Sequence, residues 1–254
     1  MSIKDKVIIV TGAAGGLGQS FSLRFAKEGA NVVVADIANV SNTLYLIEKE
    51  GGSALAMKVD VTNQESVENM CKETFKNYGR IDGIVNNAAI YAGLKMGTFD
   101  QIDEKDWDVV MDVNVKGTWL CCKAVFPYMK EQGSGSIVNI SSASILEGNP
   151  FFAHYVASKG AVLAMTRSIS RNVGEYGIRA NSITPGYTMT EASKGLAGDP
   201  ESFNKNYEEN IARRALKRPL EAEDIVGGAL FLLDDDSKSI SGQNLNIDGG
   251  GVHY

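Results

Sequence analysis

The sequence predicts an α/β protein, a single domain over residues 1–254 built on a doubly wound, seven-stranded parallel sheet with helices on both faces. Three observations predict it. Short β-branched runs alternate with helical patterns along the whole chain. No Pro-rich linker, repeat or low-complexity stretch interrupts that alternation. A glycine-rich turn directly follows the first apolar run. Strands that are apolar on both sides and joined by helices belong in a buried parallel sheet. Their crossovers are right-handed, which places ligands beyond the carboxyl ends of the strands.

Val7-Ile8-Ile9-Val10 is the first strand, followed by the glycine loop and a helix to about Glu28. Asn31–Ala35 is the second strand, with a helix over Leu44–Glu50, and Ala54–Val59 is the third. A helix over Glu65–Tyr78 leads to the fourth strand, Gly83–Asn86. Helices over Asp103–Asp112 and Val115–Glu131 precede the fifth, Ser136–Ile140. A long helix, Ala153–Tyr176, precedes the sixth, Ile178–Ile183, and a last helix, Ala222–Leu233, feeds Asn244–Ile247. One polar stretch, Thr188–Arg214, departs from this rhythm and carries a short helical pattern over Glu201–Ile211. An excursion at the carboxyl edge of such a sheet reads as a substrate lid.

Composition excludes several classes. Of 254 residues 44% are hydrophobic and the net charge is −6, with no Lys/Arg run longer than two, which argues against nucleic acid and anionic membrane as partners. No apolar stretch is long enough to span a bilayer, and the N-terminus lacks a signal-peptide pattern. The three cysteines, Cys71, Cys121 and Cys122, form no disulfide framework, and two histidines provide no metal-ligand spacing. The expectation is a cytoplasmic protein without a metal.

The loop Thr11-Gly12-Ala13-Ala14-Gly15-Gly16-Leu17-Gly18 opens a helix after a strand. Glycines there let the backbone turn tightly and approach a pyrophosphate, whose charge the helix N-terminus meets. Asp36, at the end of the second strand, is spaced to accept hydrogen bonds from an adenosine ribose. Its carboxylate repels a 2′-phosphate, and Ala13 and Ala14 bring no compensating cation, so the cofactor read from these residues is NAD. A strand-end turn or helix cap is the plain alternative for Asp36. Asp60 and Val61, after the third strand, are placed to touch an adenine ring; the alternative is a helix cap followed by core.

Tyr155 and Lys159 stand four residues apart on the long helix, and Ser142 lies thirteen residues before the tyrosine. An i, i+4 pair shares one helix face, so a phenol and an ammonium can occupy one small volume. At about 4 Å and an effective dielectric of about 20, that cation is worth about 4 kcal/mol to a phenolate. This is enough to bring a phenol from about 10 toward neutrality, as a general acid/base requires. By itself the spacing also suits a solvated helix face.

With the glycine loop and this pair together, the chain resembles the short-chain dehydrogenase/reductase superfamily over essentially its whole length. The T-G-x-x-x-G-x-G pattern falls on Thr11, Gly12, Gly16 and Gly18. Asn86-Asn87-Ala88-Ala89 stands where the family has N-N-A-G. Asn114, Ser142, Tyr155 and Lys159 match the catalytic tetrad. Pro185-Gly186 with Thr188 and Thr190 resembles the segment that meets the nicotinamide carboxamide, and Asp248-Gly249-Gly250 resembles the C-terminal strand signature. The resemblance implies a Rossmann fold and a nicotinamide-dependent oxidoreductase. It assigns Tyr155 as acid/base, Lys159 as the charge that lowers its pKa and holds the ribose hydroxyls, Ser142 as the donor to the substrate oxygen, and Asn114 as the holder of a water that passes the proton out from Lys159. It also implies a homodimer or homotetramer, for which Ala153, Ala157, Gly160, Ala161 and Ala164 on the long helix permit close approach.

The expected substrate pocket draws on Tyr91, Ser144, Ile145, Phe152, Tyr187 and Leu196. Their apolar and aromatic character favours a hydrophobic, aryl-bearing secondary alcohol or its ketone. The tail Gly251-Val252-His253-Tyr254 and His154-Tyr155 resemble enzymes acting on aryl-alkyl alcohols. A 3-oxoacyl-carrier-protein reductase, a sugar or polyol dehydrogenase and a non-catalytic scaffold are the rival readings. His154, next to Tyr155 but about 100° around the helix, is expected at a pocket edge, exposed or capping.

Overall fold

A computed structural model describes residues 2–191, 193 and 200–253, with the side chains of Pro200, Ser202 and Phe203 outside that description. Seven parallel strands form one sheet in the order β3-β2-β1-β4-β5-β6-β7. They are β1 (Val7–Thr11), β2 (Asn31–Asp36), β3 (Ala54–Lys58), β4 (Gly83–Asn86), β5 (Gly135–Ile140), β6 (Ile178–Pro185) and β7 (Asn244–Ile247). The order reverses between β1 and β4, the switch point where a doubly wound sheet opens a crevice for ligand.

Period-2 alternation divides the strand side chains between two cores. Ile8, Val10, Val32, Val34, Val85 and Val138 face Phe21 and Phe25 of α1 (Gly16–Lys27), Ile47 of α2 (Ser41–Lys49) and Ile225, Val226 and Leu230 of α9 (Ala222–Leu233). Ile9, Val33, Ile84 and Ile137 face the other way. They meet Val67 and Met70 of α3 (Gln64–Tyr78), Val125 and Met129 of α5 (Thr118–Gln132) and Val173 of α7 (Ala153–Val173). Each such aliphatic side chain contributes about 1.5–3 kcal/mol by burial. Truncating Ile9 to alanine therefore costs about 2–5 kcal/mol.

Local signals set the helix ends. Asn63 Oδ1 accepts the amide of Ser66 at 3.0 Å and starts α3, and Gly79, at φ +71°, stops it. The two helices expected between β4 and β5 are continuous: α4 (Glu104–Met111) passes through a π-helical turn, Asp112–Gly117, into α5. No glycine or proline breaks the helix before Gly117, so the chain absorbs the irregularity by widening one turn. Asn114 lies within that turn. Gly117 ends it where a Cβ would come 2.8 Å from Val61 Cγ2, so only glycine lets the helix pack this closely. Beyond β5 a short α6 (Ser144–Glu147), not expected from the sequence, precedes α7, and the helix α8 (Pro200–Arg213) matches the pattern read over 201–211.

Candidate active site

Loops from the carboxyl ends of the strands enclose a cleft of about 1570 Å³. Among residues expected to hold a cofactor, Gly12, Gly15, Gly16, Leu17, Asp36, Asp60, Val61, Asn87, Ala88, Ala89, Pro185, Gly186, Thr188 and Thr190 line it. Gly18 does not. It is buried beneath the loop, where a Cβ would fall 2.0 Å from Gly12 O, so its part is to let the loop lie on the helix. Gly15 and Gly16 face the cleft, and a Cβ added to either would meet nothing within 4 Å. The N-terminus of α1 carries no side-chain cap and no acidic residue in its first turn. Its amides are therefore available to an anion.

Asn87 is a clamp on this loop. Its Nδ2 donates to Thr11 O and Gly12 O, both at 3.1 Å, and Thr11 Oγ1 accepts the amides of Asn87 and Ala88 at 3.1 Å. Ala89, where the resembling family has glycine, costs no strain: among the described residues Asp5 is the sole non-glycine with positive φ. Asp36 Oδ2 accepts the amide of Ala14 at 2.9 Å and Oδ1 that of Ala38 at 2.8 Å. Asp36 thus braces the loop as well as lining the cleft beside the exposed, apolar Ile37. Asp60 Oδ1 accepts both the amide of Thr62 at 2.9 Å and its hydroxyl at 2.7 Å, closing the turn after β3.

At the inner end Ser142, Tyr155 and Lys159 converge on the cleft wall. The pair departs from the electrostatics expected of it. Burial pushes the Tyr155 phenol up to about 12, and hydrogen bonding to Ser142 acts the other way. Burial also pulls Lys159 down to about 8. Lys159 Nζ donates to Ile140 O at 2.8 Å and lies 5.7 Å from the centroid of the Tyr155 ring. Desolvation of both groups therefore outweighs the attraction expected to lower the phenol, and at neutral pH the phenol keeps its proton.

Asn114 is fully buried and does not line the cleft. Its Oδ1 accepts the amide of Ile90 at 2.7 Å, and its Nδ2 donates to Ser158 Oγ at 3.0 Å. Ser158 Oγ in turn donates to Tyr155 O at 2.7 Å. Its carboxamide is engaged by these partners and braces α7 under Tyr155. His154 is also buried away from the cleft, 2% exposed and neither capping nor at the pocket edge, with Nδ1 lacking a hydrogen-bond partner.

Of the expected substrate residues, Tyr91, Ser144, Phe152 and Tyr187 line the cleft; Ile145 does not, because α6 turns it aside, and Leu196 lies outside the described residues. The Tyr91 and Tyr155 rings stand 5.2 Å apart, and the Tyr91 phenol is raised by burial. Sequence reasoning missed Met96, Asn206, Asn210 and Arg213, which complete the walls. Met96 sits in an irregular loop, and the other three recur on one face of α8, a signal legible only once that helix is known to cover the cleft. Ser193, also missed, is 4% exposed and ties the segment after β6 by donating from Oγ to Thr188 O at 2.8 Å.

Among the described residues no helix is long and apolar enough to cross a membrane, and no group of three His, Cys, Asp or Glu is placed to hold a metal.

Comparison with known proteins bears on this geometry. A family profile described as enoyl-(acyl carrier protein) reductase matches residues 12–252. The chain is 36% identical over 252 residues to a 3-oxoacyl-(acyl-carrier-protein) reductase of Thermotoga maritima, covering 98% of this chain and 99% of the relative. It is 34% identical over 250 residues to meso-2,3-butanediol dehydrogenase of Serratia marcescens, covering 98% and 96%. The structure of NAD⁺-bound xylitol dehydrogenase superimposes with a TM-score of 0.90 at 30% identity, covering 98% of this chain and all of that one (100%). A parallel sheet in this order, a glycine loop open at α1 and a Ser/Tyr/Lys group at one cleft, matched along nearly the full chain by these oxidoreductases, make the protein a member of the short-chain dehydrogenase/reductase superfamily.

Proposed function

We propose that the protein is an NAD(H)-dependent oxidoreductase that interconverts a hydrophobic, aryl-bearing secondary alcohol and its ketone. The observation that carries this reading is the buried Tyr155 phenol, hydrogen-bonded to Ser142 and keeping its proton on the cleft wall beside Lys159. Tyr155 Oη gives its proton to, or takes it from, the substrate oxygen. The Ser142 hydroxyl donates to that same oxygen and stabilises the charge that develops on it. Lys159 supplies a cation and ribose-binding donors, and Asn114 keeps α7 in register through Ser158.

The open glycines and uncapped start of α1 fit a dinucleotide pyrophosphate, with Gly12, Gly15, Gly16, Leu17 and Gly18 shaping that end. Nicotinamide dinucleotide, when bound, supplies the hydride chemistry. Asp36 beside Ile37, with no cation from Ala13 or Ala14, supports NAD over NADP. Asp60 and Val61 serve the adenine, Asn87, Ala88 and Ala89 the ribose side, and Pro185, Gly186, Thr188 and Thr190 the carboxamide.

Tyr91, Met96, Phe151, Phe152 and Tyr187 support an apolar substrate, and residues 188–214 act as its lid within a single domain. The exposed Trp107 and Trp119 along α4 and α5 support a homodimer or homotetramer. The buried thiols support a reducing, cytoplasmic setting.

The identity to the Thermotoga reductase favours a second reading, reduction of a 3-oxoacyl-carrier thioester with NADPH. Steady-state assays with aryl-alkyl, polyol and 3-oxoacyl substrates, each with NAD(H) and NADP(H), decide between them. The proposed reading requires the highest kcat/KM for an aryl-bearing secondary alcohol with NAD. A preference for NADPH with a 3-oxoacyl thioester overturns it.

A further inference from the structure

Arg214, 2% exposed, ranks among the largest fully buried side chains of the described residues, yet it lies in no segment identified with catalysis or cofactor binding. It follows directly on α8. Its Nη2 donates to Tyr187 O at 2.6 Å and its Nη1 to Arg218 O at 3.2 Å. Its guanidinium carbon lies 5.9 Å from the centroid of the Tyr207 ring. Both hydrogen bonds go to main-chain carbonyls, so what the side chain holds is backbone position.

Three segments meet at it. The first is Gly186-Tyr187-Thr188, all three residues of which line the cleft. The second is the base of the lid, where the amides of Ala215 and Leu216 donate to Gly250 O and Gly249 O at 3.0 and 2.8 Å. The third is the turn after β7. There Gly249, at φ +72°, would place a Cβ 3.1 Å from Arg214 Cδ, and Gly251 would place one 3.7 Å from Arg214 Cγ. Gly186 completes the lock, because a Cβ on it would meet Asp248 Cα at 2.7 Å. The glycines of the C-terminal turn thereby leave the space that the Arg214 side chain fills.

We infer that Arg214 is a positioning residue that fixes the Gly186–Thr188 backbone at the nicotinamide end of the cleft and couples it to the lid. The inference rests on the proposed oxidoreductase reading. Tyr187 O is pinned one residue from both Gly186 and Thr188. Loosening that carbonyl displaces the nicotinamide end of the site and leaves the glycine loop, at the end of β1 three strands away, untouched.

The test compares Arg214→Met with wild type in the full chain, measuring affinity for NADH and for ADP-ribose, which lacks the nicotinamide. Circular dichroism and thermal melting serve as folding controls. Arg214→Met raises the Kd for NADH about tenfold and leaves that for ADP-ribose within about twofold. The KM for NAD rises more than kcat falls. Arg214→Lys, which reaches one carbonyl at most, shows the same selectivity at about threefold and serves if the methionine variant does not fold. Added guanidinium at non-denaturing concentration restores NADH affinity to Arg214→Ala. Equal weakening of both ligands, or no weakening of either, overturns the assignment. Wild-type protein that binds no dinucleotide overturns the oxidoreductase reading itself, so the two failures are distinguishable.

Discussion

Lys159 Nζ donates to the carbonyl of Ile140 at 2.8 Å, so the ammonium next to the Tyr155 ring is anchored on the sheet and not on the phenol. Burial holds this lysine at about 8, which makes it a cation below that pH and neutral above it. The phenol, held up at about 12, stays protonated throughout the range. In the proposed mechanism, ketone reduction uses the proton on Tyr155 and the positive charge beside it. We expect kcat/KM for reduction to hold through neutral pH and to fall as the pH rises through about 8. Lys159→Arg, charged at every pH of the assay, moves that limb upward. A profile that stays flat well above the lysine's value removes Lys159 from the titration.

Tyr155→Phe removes the one proton that the proposed mechanism moves. Turnover falls by about 10²–10⁴-fold, while dinucleotide affinity, measured by fluorescence titration, stays within about twofold. Turnover close to wild type reassigns the acid/base.

Asp36 both lines the cleft and accepts the amide of Ala14, so Asp36→Ala has two separable effects. The ratio of kcat/KM for NAD to that for NADP drops about tenfold as the repelling charge is lost, a change of about 1.4 kcal/mol. Loss of the brace lowers stability by about 0.5–1.5 kcal/mol, read by thermal melting. An unchanged cofactor ratio shows that another group sets the preference.

The glycines of the loop differ in what they tolerate. Gly18→Ala places a methyl where Gly12 O stands 2.0 Å away, and we expect about 1–3 kcal/mol of destabilisation with loss of dinucleotide binding. Gly15→Ala, in extended backbone at φ −166° with open space around it, keeps its stability and weakens binding because the methyl enters the cleft. Equal melting temperatures for the two variants contradict the packing described for Gly18.

Cys71 and Cys122 are buried and pushed up to about 12, and Cys121 is pushed well above its ordinary value. A thiol so protonated is a poor nucleophile. The folded protein at pH 8 leaves all three unmodified by a soluble aromatic disulfide reagent, and the denatured protein reacts fully. Rapid reaction of one native thiol coupled to loss of activity refutes this.

The strand pattern was legible because unbroken apolar runs such as Val7–Val10 and Val32–Ala35 encode two-sided burial locally. The glycine loop was legible for a similar reason, since its backbone conformation is a property of those residues. Ser142, Tyr155 and Lys159 could be paired by helix spacing and order along the chain. Their protonation could not, because desolvation depends on everything packed around them: spacing suggested a lowered phenol, and burial raises it. Asn114 could be singled out from its place in the chain, but its orientation depends on a π turn that no local signal announces.

By itself, then, the sequence determined the sheet, the glycine-rich loop after β1 and the candidate reacting side chains, because each follows from contacts a few residues apart or from periodic burial. Tertiary structure alone decided which side chains face the cleft, that Asn87 clamps the glycine loop, that Ile145 turns aside, and that Arg214 ties the end of α8 to Tyr187 and the C-terminal turn. Those outcomes rest on contacts between segments far apart in the chain, such as Arg214 with Tyr187 or Asn87 with Gly12, whose geometry arises only when the sheet brings them together.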